Sequence, residues 1–394
     1  MFPKEPNIAV FSLAYTPFEG GAEIAAREVI KRLKGLNFTI FTFKFDSRWL
    51  SREAAENADI VRLGRGRSGG KYYGRIWDKI IYIFSSWQKA EELHRQKRFE
   101  VIWAIMASYG GVAALFFKMR HPRVPLLLTI QEGDSEKYLS LGKLGLVGLF
   151  GKQIIWKADF IQVISNYLKD IANKKGAVCP IEVVPNGVDW ELFNSAYKDS
   201  EIKSIRENLG IKDEYIVITT SRLVYKNGID ILIDAIAKLK EKRLVVKCLI
   251  IGGGPDHPKL KWQSEKLKIG HQIIFLGQMP QRDLPIYFKI ADIFVRASRS
   301  EGLGNSFLEA MAAGLPVIGT PVGGIIDFLK DGQTGFFVPV GDSEALAEKI
   351  KYVLDNPSRI KPVINNARLM VKQNYSWEII VKLFRNIFNR LINL

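Results

Sequence analysis

What most constrains this chain is an alternation that runs through it twice: short, continuous apolar segments separated by amphipathic helical patterns. In the first half "NIAVFSLAY", "FTIFTFKF", "FEVIWAIM", "VPLLLTIQ" and "DFIQVIS" read as strands, each bounded by polar or turn residues. In the second half "YIVITTSRL", "VVKCLIIGGG", "QIIFLGQM", "ADIFVRAS", "LPVIGTPVGG" and "TGFFVPV" alternate with helical patterns such as "GIDILIDAIAKLKEK". A strand that is apolar along its whole length is buried on both faces, as parallel strands are when helices cover the sheet. The pattern therefore predicts an α/β chain of two Rossmann-like, doubly wound parallel-sheet domains in series. A length of 394 residues suits two cores better than one.

The joint falls near "VVPNGVDWELFNSAYKDS", where Pro185, Asn186 and Gly187 form a turn signal and a polar stretch follows. This predicts domains at 1–190 and 191–374. An amphipathic helix within 375–394 follows the second domain and is able to pack back on the first. In doubly wound domains ligands bind beyond the carboxyl ends of the strands. The site is therefore expected in a central cleft faced by both sheets.

Composition narrows the classes. No apolar run approaches the ~18 residues of a membrane-spanning helix. The first apolar segment continues into a core strand, so a secretory signal is not expected. Cys179 and Cys248 stand far apart, outside any metal-ligand spacing, which suits a reducing, cytoplasmic compartment. His94, His121, His257 and His271 show no paired spacing, so no zinc site is expected. The net charge of +16 implies an anionic partner, and residues 1–185 hold 28 Lys+Arg against 18 Asp+Glu.

Three glycine-bearing loops each follow a predicted strand: Gly20 and Gly21; Gly252, Gly253 and Gly254; and Gly302 and Gly304. Glycines there let backbone amides approach an anion at a helix start, although tight turns use glycine for their own geometry. In "SRLVYKNG", Arg222 and Lys226 follow a strand and could neutralise a diphosphate, or could simply be a solvated helix start. In "RSEGLGNSFLEAMAAG", Glu301 and Glu309 could be a working pair. Ser306 and Glu309 also have the spacing of a capping box.

Together these segments resemble the donor-binding half of retaining glycosyltransferases of the GT-B fold, in the large family four. The matching pieces are "VVPNGVD", "SRLVYKNGIDILIDA", "LIIGGGP", "IFLGQMPQRDLPIYFKIADIFVRASRSEGLGNSFLEAMAAGLPVIGTPVGG" and "DGQTGFFVPVGD", in the family's order. The first half matches mainly through "GGAE". The resemblance implies that Arg222 and Lys226 bind the donor diphosphate and stabilise the leaving group, the main electrostatic need of such a transfer. It implies that Glu301 and Glu309 are the family's E-x7-E pair, the first on the donor sugar and the second on the ribose. Gly253 and the segment Gly302, Leu303, Gly304, Asn305 and Ser306 would line the sugar and phosphate pocket. Gly20, Gly21 and Asn186 would contribute from the first domain. Attack from the front face would retain configuration, with no cofactor. The D-x-D sequence of metal-dependent transferases is absent, so no metal is expected.

One departure stands out. Where many relatives carry a histidine after "PLLLTI", this chain reads Gln131-Glu132-Gly133-Asp134. Gln131 can hydrogen-bond a donor hydroxyl but cannot act as a base at neutral pH. Glu132 and Asp134 are candidates for the acceptor, or for a capped loop.

The segments "RLGRGRSGGKYYGRIWDKIIYIFSSWQK" and "KYLSLGKLGLVGLFGKQIIWK" interleave basic charge with aromatic and leucine residues, a composition found at anionic membrane interfaces. This predicts a peripheral protein on the inner face of the cytoplasmic membrane, acting on a lipid-linked or glycan acceptor. An epimerase of the same fold, a catalytically silent scaffold and a basic nucleic-acid-binding module are the rival readings. The last lacks any recognised binding motif, so no nucleic-acid partner is expected.

Overall fold

The computed structural model describes residues 5–17, 20–55, 57–66, 76–131 and 146–394, the side chains of 146–149 excepted. It divides into two compact units, residues 1–186 with 378–394, and residues 187–377.

Among the described residues of the first unit, eight strands form one sheet. These are β1 (Asn7–Phe11), β2 (Asn37–Phe43), β3 (Arg52–Ala55), β4 (Ala58–Leu63), β5 (Val101–Ile105), β6 (Leu126–Ile130), β7 (Phe160–Val163) and β8 (Ile181–Val183). Their order is β3-β4-β2-β1-β5-β6-β7-β8. All neighbours are parallel except the exposed edge strand β3, which pairs antiparallel with β4. Strands β1, β5 and β6 are buried at every position, as double-sided cover requires. The helix Gly21–Arg32 packs through Ala22, Ala25, Ala26, Val29 and Ile30, a stripe at helical spacing. The last helix, Trp377–Ile392, begins in the second unit and continues in the first. There Phe384 and Phe388 lie 5.6 and 5.4 Å from the Trp103 ring, and Phe388 lies 5.9 Å from Phe38.

The second unit has six parallel strands: β9 (Tyr215–Thr220), β10 (Val246–Ile251), β11 (Ile273–Gly277), β12 (Ile293–Val295), β13 (Val317–Gly319) and β14 (Phe336–Phe337). The order is β11-β10-β9-β12-β13-β14. Helix Ile229–Glu241 buries Ile229, Leu232, Ile233, Ile236 and Leu239 against this sheet, in one cluster with Val217, Cys248 and Ile250. Strand order reverses between β9 and β12, so the loops leaving their carboxyl ends diverge and leave a crevice. Those loops carry "SRLVYKNG" and "RASRSEGLG".

Candidate functional site

After β9 the chain is held by backbone contacts to the loop after β10. Ser221 N–H donates to the Ile251 carbonyl at 2.9 Å, and Leu223 N–H to the Gly253 carbonyl at 3.0 Å. Two of the three glycines there exist for this packing. A Cβ on Gly252 would lie 1.9 Å from the Ser221 oxygen, and one on Gly254 would lie 2.3 Å from the Leu223 oxygen. A Cβ on Gly253 would meet nothing nearer than Gln278, at 3.9 Å. Arg222 is exposed, and Lys226 sits half-buried in the single turn Tyr225–Asn227.

A second loop is laced to the first. Arg299 N–H donates to the Lys226 carbonyl at 2.7 Å, and its guanidinium donates to the Tyr225 carbonyl at 2.7 Å. The same guanidinium grips Asp230 through both carboxylate oxygens, at 2.8 and 2.7 Å, and lies 4.0 Å from the centre of the Tyr225 ring. The hydrogen bonds to Asp230 hold the Arg299 pKa above its ordinary value, with the carboxylate charge acting in the same direction against burial. Two turns that carry Lys226 and Glu301 are thereby fixed to each other.

Glu301 accepts from Arg296 and from Gly302 N–H at 3.2 Å. Its carbonyl accepts from Gly324 N–H at 3.2 Å. Gly323, at φ 52°, passes so close that a Cβ would lie 1.8 Å from that carbonyl oxygen. Leu303 is buried and Asn305 half-buried beside it.

The capping-box expectation is overturned here. Helix Asn305–Ala313 has Gly304 as its N-cap, at φ 97°, and no side chain caps it. Ser306 therefore lies inside the first turn, where its hydroxyl accepts from Arg296 Nη1 at 2.8 Å. Glu309, deeper in the helix, accepts from Gln281 Nε2 at 2.6 Å. A helix start without a side-chain cap leaves its first backbone amides available to an anionic ligand. Burial pushes the Glu309 carboxyl up to about 7, although the Gln281 hydrogen bond and the Arg296 charge pull the other way. At neutral pH this carboxyl is poised between acid and carboxylate.

The remaining candidates belong to the first unit. Gly20 is the N-cap of helix Gly21–Arg32, again without a side-chain cap, and a Cβ on Gly21 would meet nothing within 4 Å. Asn186 Nδ2 donates to Gln131 Oε1 at 3.1 Å, so these two predicted donor contacts touch each other. Glu132, Asp134 and residues 137–145 of the segment "KYLSLGKLGLVGLFGKQIIWK" lie outside the described residues.

Sequence reasoning missed Arg296, Asn227, Gln281, Arg299 and Asp230. A signal was available for Arg296. It is a lone cation at the end of the buried run "ADIFVRAS", and a charge in such a place must find partners. Among the described residues no group of three or more His, Cys, Asp or Glu side chains converges to hold a metal ion.

Residues 19–192 match the family model described as glycosyltransferase family 4, and residues 201–370 match that described as glycosyl transferases group 1. The chain is 30% identical over 228 residues to the GDP-mannose-dependent alpha-(1-6)-phosphatidylinositol monomannoside mannosyltransferase of Mycolicibacterium smegmatis. That match covers 56% of this chain and 59% of the relative, less than two thirds of the latter's length. It is 25% identical over 319 residues to the alpha-monoglucosyldiacylglycerol synthase of Streptococcus pneumoniae, covering 79% and 70% of the two chains. Among solved structures, sucrose-phosphate synthase from Thermosynechococcus elongatus superposes with a TM-score of 0.84 at 22% identity, covering 98% of this chain and 99% of that one. At that identity the likeness speaks for the fold.

Proposed function

Because the chain belongs to the group 1, family 4 glycosyltransferases and has their GT-B fold of two parallel-sheet α/β units, we propose that it is a retaining glycosyltransferase. It takes a sugar from a UDP- or GDP-linked donor and moves it to a hydroxyl of a lipid-linked or glycan acceptor. The observation that carries this reading is the lacing of the Arg222–Lys226 loop to the Glu301 loop at the β9/β12 switch point.

In this reading Arg222 and Lys226 face the donor diphosphate. The bond between the anomeric carbon and the phosphate oxygen breaks, and its electron pair passes to the diphosphate, where the two cations stabilise it. The acceptor oxygen attacks the same face, and its proton passes to the departing phosphate. No cofactor and no metal is needed, because the charge a metal would balance is met by side chains. Glu301 binds a sugar hydroxyl. Glu309, with Gln281 on one oxygen, offers the other to the ribose. The Gly302–Ser306 amides and Gly253 border the phosphates and sugar.

The names of the relatives point to glycolipid acceptors, and the first unit offers a surface that suits one. On helix Ile76–Lys97, Trp77, Ile81 and Phe84 are 68%, 51% and 48% exposed at i, i+4 and i+7, one helical face. Trp156 is 59% exposed on helix Leu146–Lys157, with the Lys157 ammonium 5.0 Å from its ring. Among the described residues no helix is long and apolar enough to cross a membrane. Exposed aromatics on a basic protein support a reading of peripheral attachment to an anionic inner leaflet.

Thermal stabilisation tests the donor reading, since a ligand that binds only the folded state raises Tm. One of the UDP- or GDP-sugars is expected to do so. If none does, the reading is wrong.

A further inference from the structure

We propose that Arg296 is the positioning residue of this site: it fixes the Glu301 carboxylate, the helix start and the Lys226 loop in a single arrangement. The proposal rests on the donor reading above and extends it to a residue that touches no substrate.

Arg296 follows β12, and its backbone N–H donates to the Ile318 carbonyl at 3.0 Å, which anchors it to the sheet. The residue is 8% exposed. Its guanidinium reaches three segments at once: Nη1 donates to Ser306 Oγ at 2.8 Å, Nη2 donates to Asn227 Oδ1 at 3.1 Å, and Nη2 also pairs with Glu301. Asn227 in turn donates from Nδ2 to the Arg222 carbonyl at 2.6 Å. One planar cation therefore links the turn that carries Arg222 and Lys226, the entrance of helix Asn305–Ala313, and the glutamate assigned to the donor sugar.

Stability alone does not account for this residue. A buried ion pair is often no better for stability than apolar residues of the same volume, because desolvation offsets the attraction. Here, moreover, Arg296 Nε is buried without a hydrogen-bond partner, which adds a cost. What the guanidinium supplies is geometry, through a rigid fork that a lysine ammonium does not reproduce. It also supplies charge balance. Without it, Glu301 would stand as an uncompensated carboxylate near the place where an anionic diphosphate binds, and the two would repel.

The test uses Arg296→Lys, which keeps the charge and loses the fork. Arg296→Met is unsuitable alone because it would strand the Glu301 charge in a buried site. The probes are UDP and GDP and their glucose and mannose conjugates. Bare nucleotide diphosphate should bind Arg296→Lys within about threefold of wild type, while sugar transfer falls at least about tenfold. In the double variant with Glu301→Gln, adding Arg296→Lys should cost less than about twofold more, the non-additivity of residues that act through one another. Additive losses, or an equal loss of bare-nucleotide binding, would overturn the proposal. Amide hydrogen exchange without ligand provides the separate arm. Arg296→Lys should speed exchange in residues 222–228 and 300–306 together, and no change in either segment would also overturn it. If no probe binds wild type, the donor reading falls, and the exchange result alone decides whether Arg296 ties the two loops.

Discussion

Glu309→Gln should stabilise the protein at alkaline pH and leave it nearly unchanged at acid pH. The wild-type carboxyl is buried and pushed up to about 7 from an ordinary 4.5. At 1.36 kcal/mol for each factor of ten in proton affinity, that difference corresponds to about 3 kcal/mol. The native state holds the proton more tightly than the unfolded chain. The favourable contribution is therefore fully present below about 4.5 and is lost as pH rises through about 7. Glutamine has the shape of the neutral acid and can still accept from Gln281, but it does not ionise. Denaturant unfolding of both proteins at pH 5, 7 and 8.5, following the transition of the second unit, should show near-equal stability at pH 5. At pH 8.5 the variant should gain about 2–3 kcal/mol. A stability difference that stays constant from pH 5 to 8.5 would refute the argument, because it would mean that Glu309 does not titrate in this window.

Lys226→Ala and Glu301→Ala are each expected to lower turnover by about 100-fold or more in steady-state rates, since each removes a contact that acts on the reacting donor. Circular dichroism melts should show Lys226→Ala near wild-type stability and Glu301→Ala, which strands the buried Arg296 charge, less stable by about 3 kcal/mol or more. Gly252→Ala should cost more than about 2 kcal/mol, because its Cβ would lie 1.9 Å from a carbonyl oxygen at φ 138°. Gly253→Ala, whose Cβ would make only an ordinary contact with Gln278 at 3.9 Å, should change stability by less than about 1 kcal/mol in denaturant melts. Arg299→Ala leaves the half-buried Asp230 without its bidentate partner and should cost about 1–3 kcal/mol in denaturant melts, with a raised donor KM. A Trp77→Ser, Phe84→Ser double variant should partition onto anionic liposomes at least about tenfold less than wild type, while soluble-substrate activity stays unchanged. Equal partition would remove that helix face from the membrane reading.

The chain's local patterns determined its architecture. Near-continuous apolar runs such as those of β1, β5 and β10 are affordable only where helices cover both faces of a parallel sheet, and the glycine-bearing loops marked the strand ends. The same local signals misread the start of helix Asn305–Ala313. The Ser306-to-Glu309 spacing is identical whether Ser306 caps the helix or sits inside its first turn, and only the backbone at Gly304 chose. What tertiary structure alone decided is the company these residues keep. Strand order reverses between β9 and β12, and that reversal places Arg299 against Lys226 and Asp230, and Arg296 against Asn227. Residues so far apart along the chain leave no periodicity to read. Their pairing follows from sheet order, and sheet order follows from how the buried faces pack together.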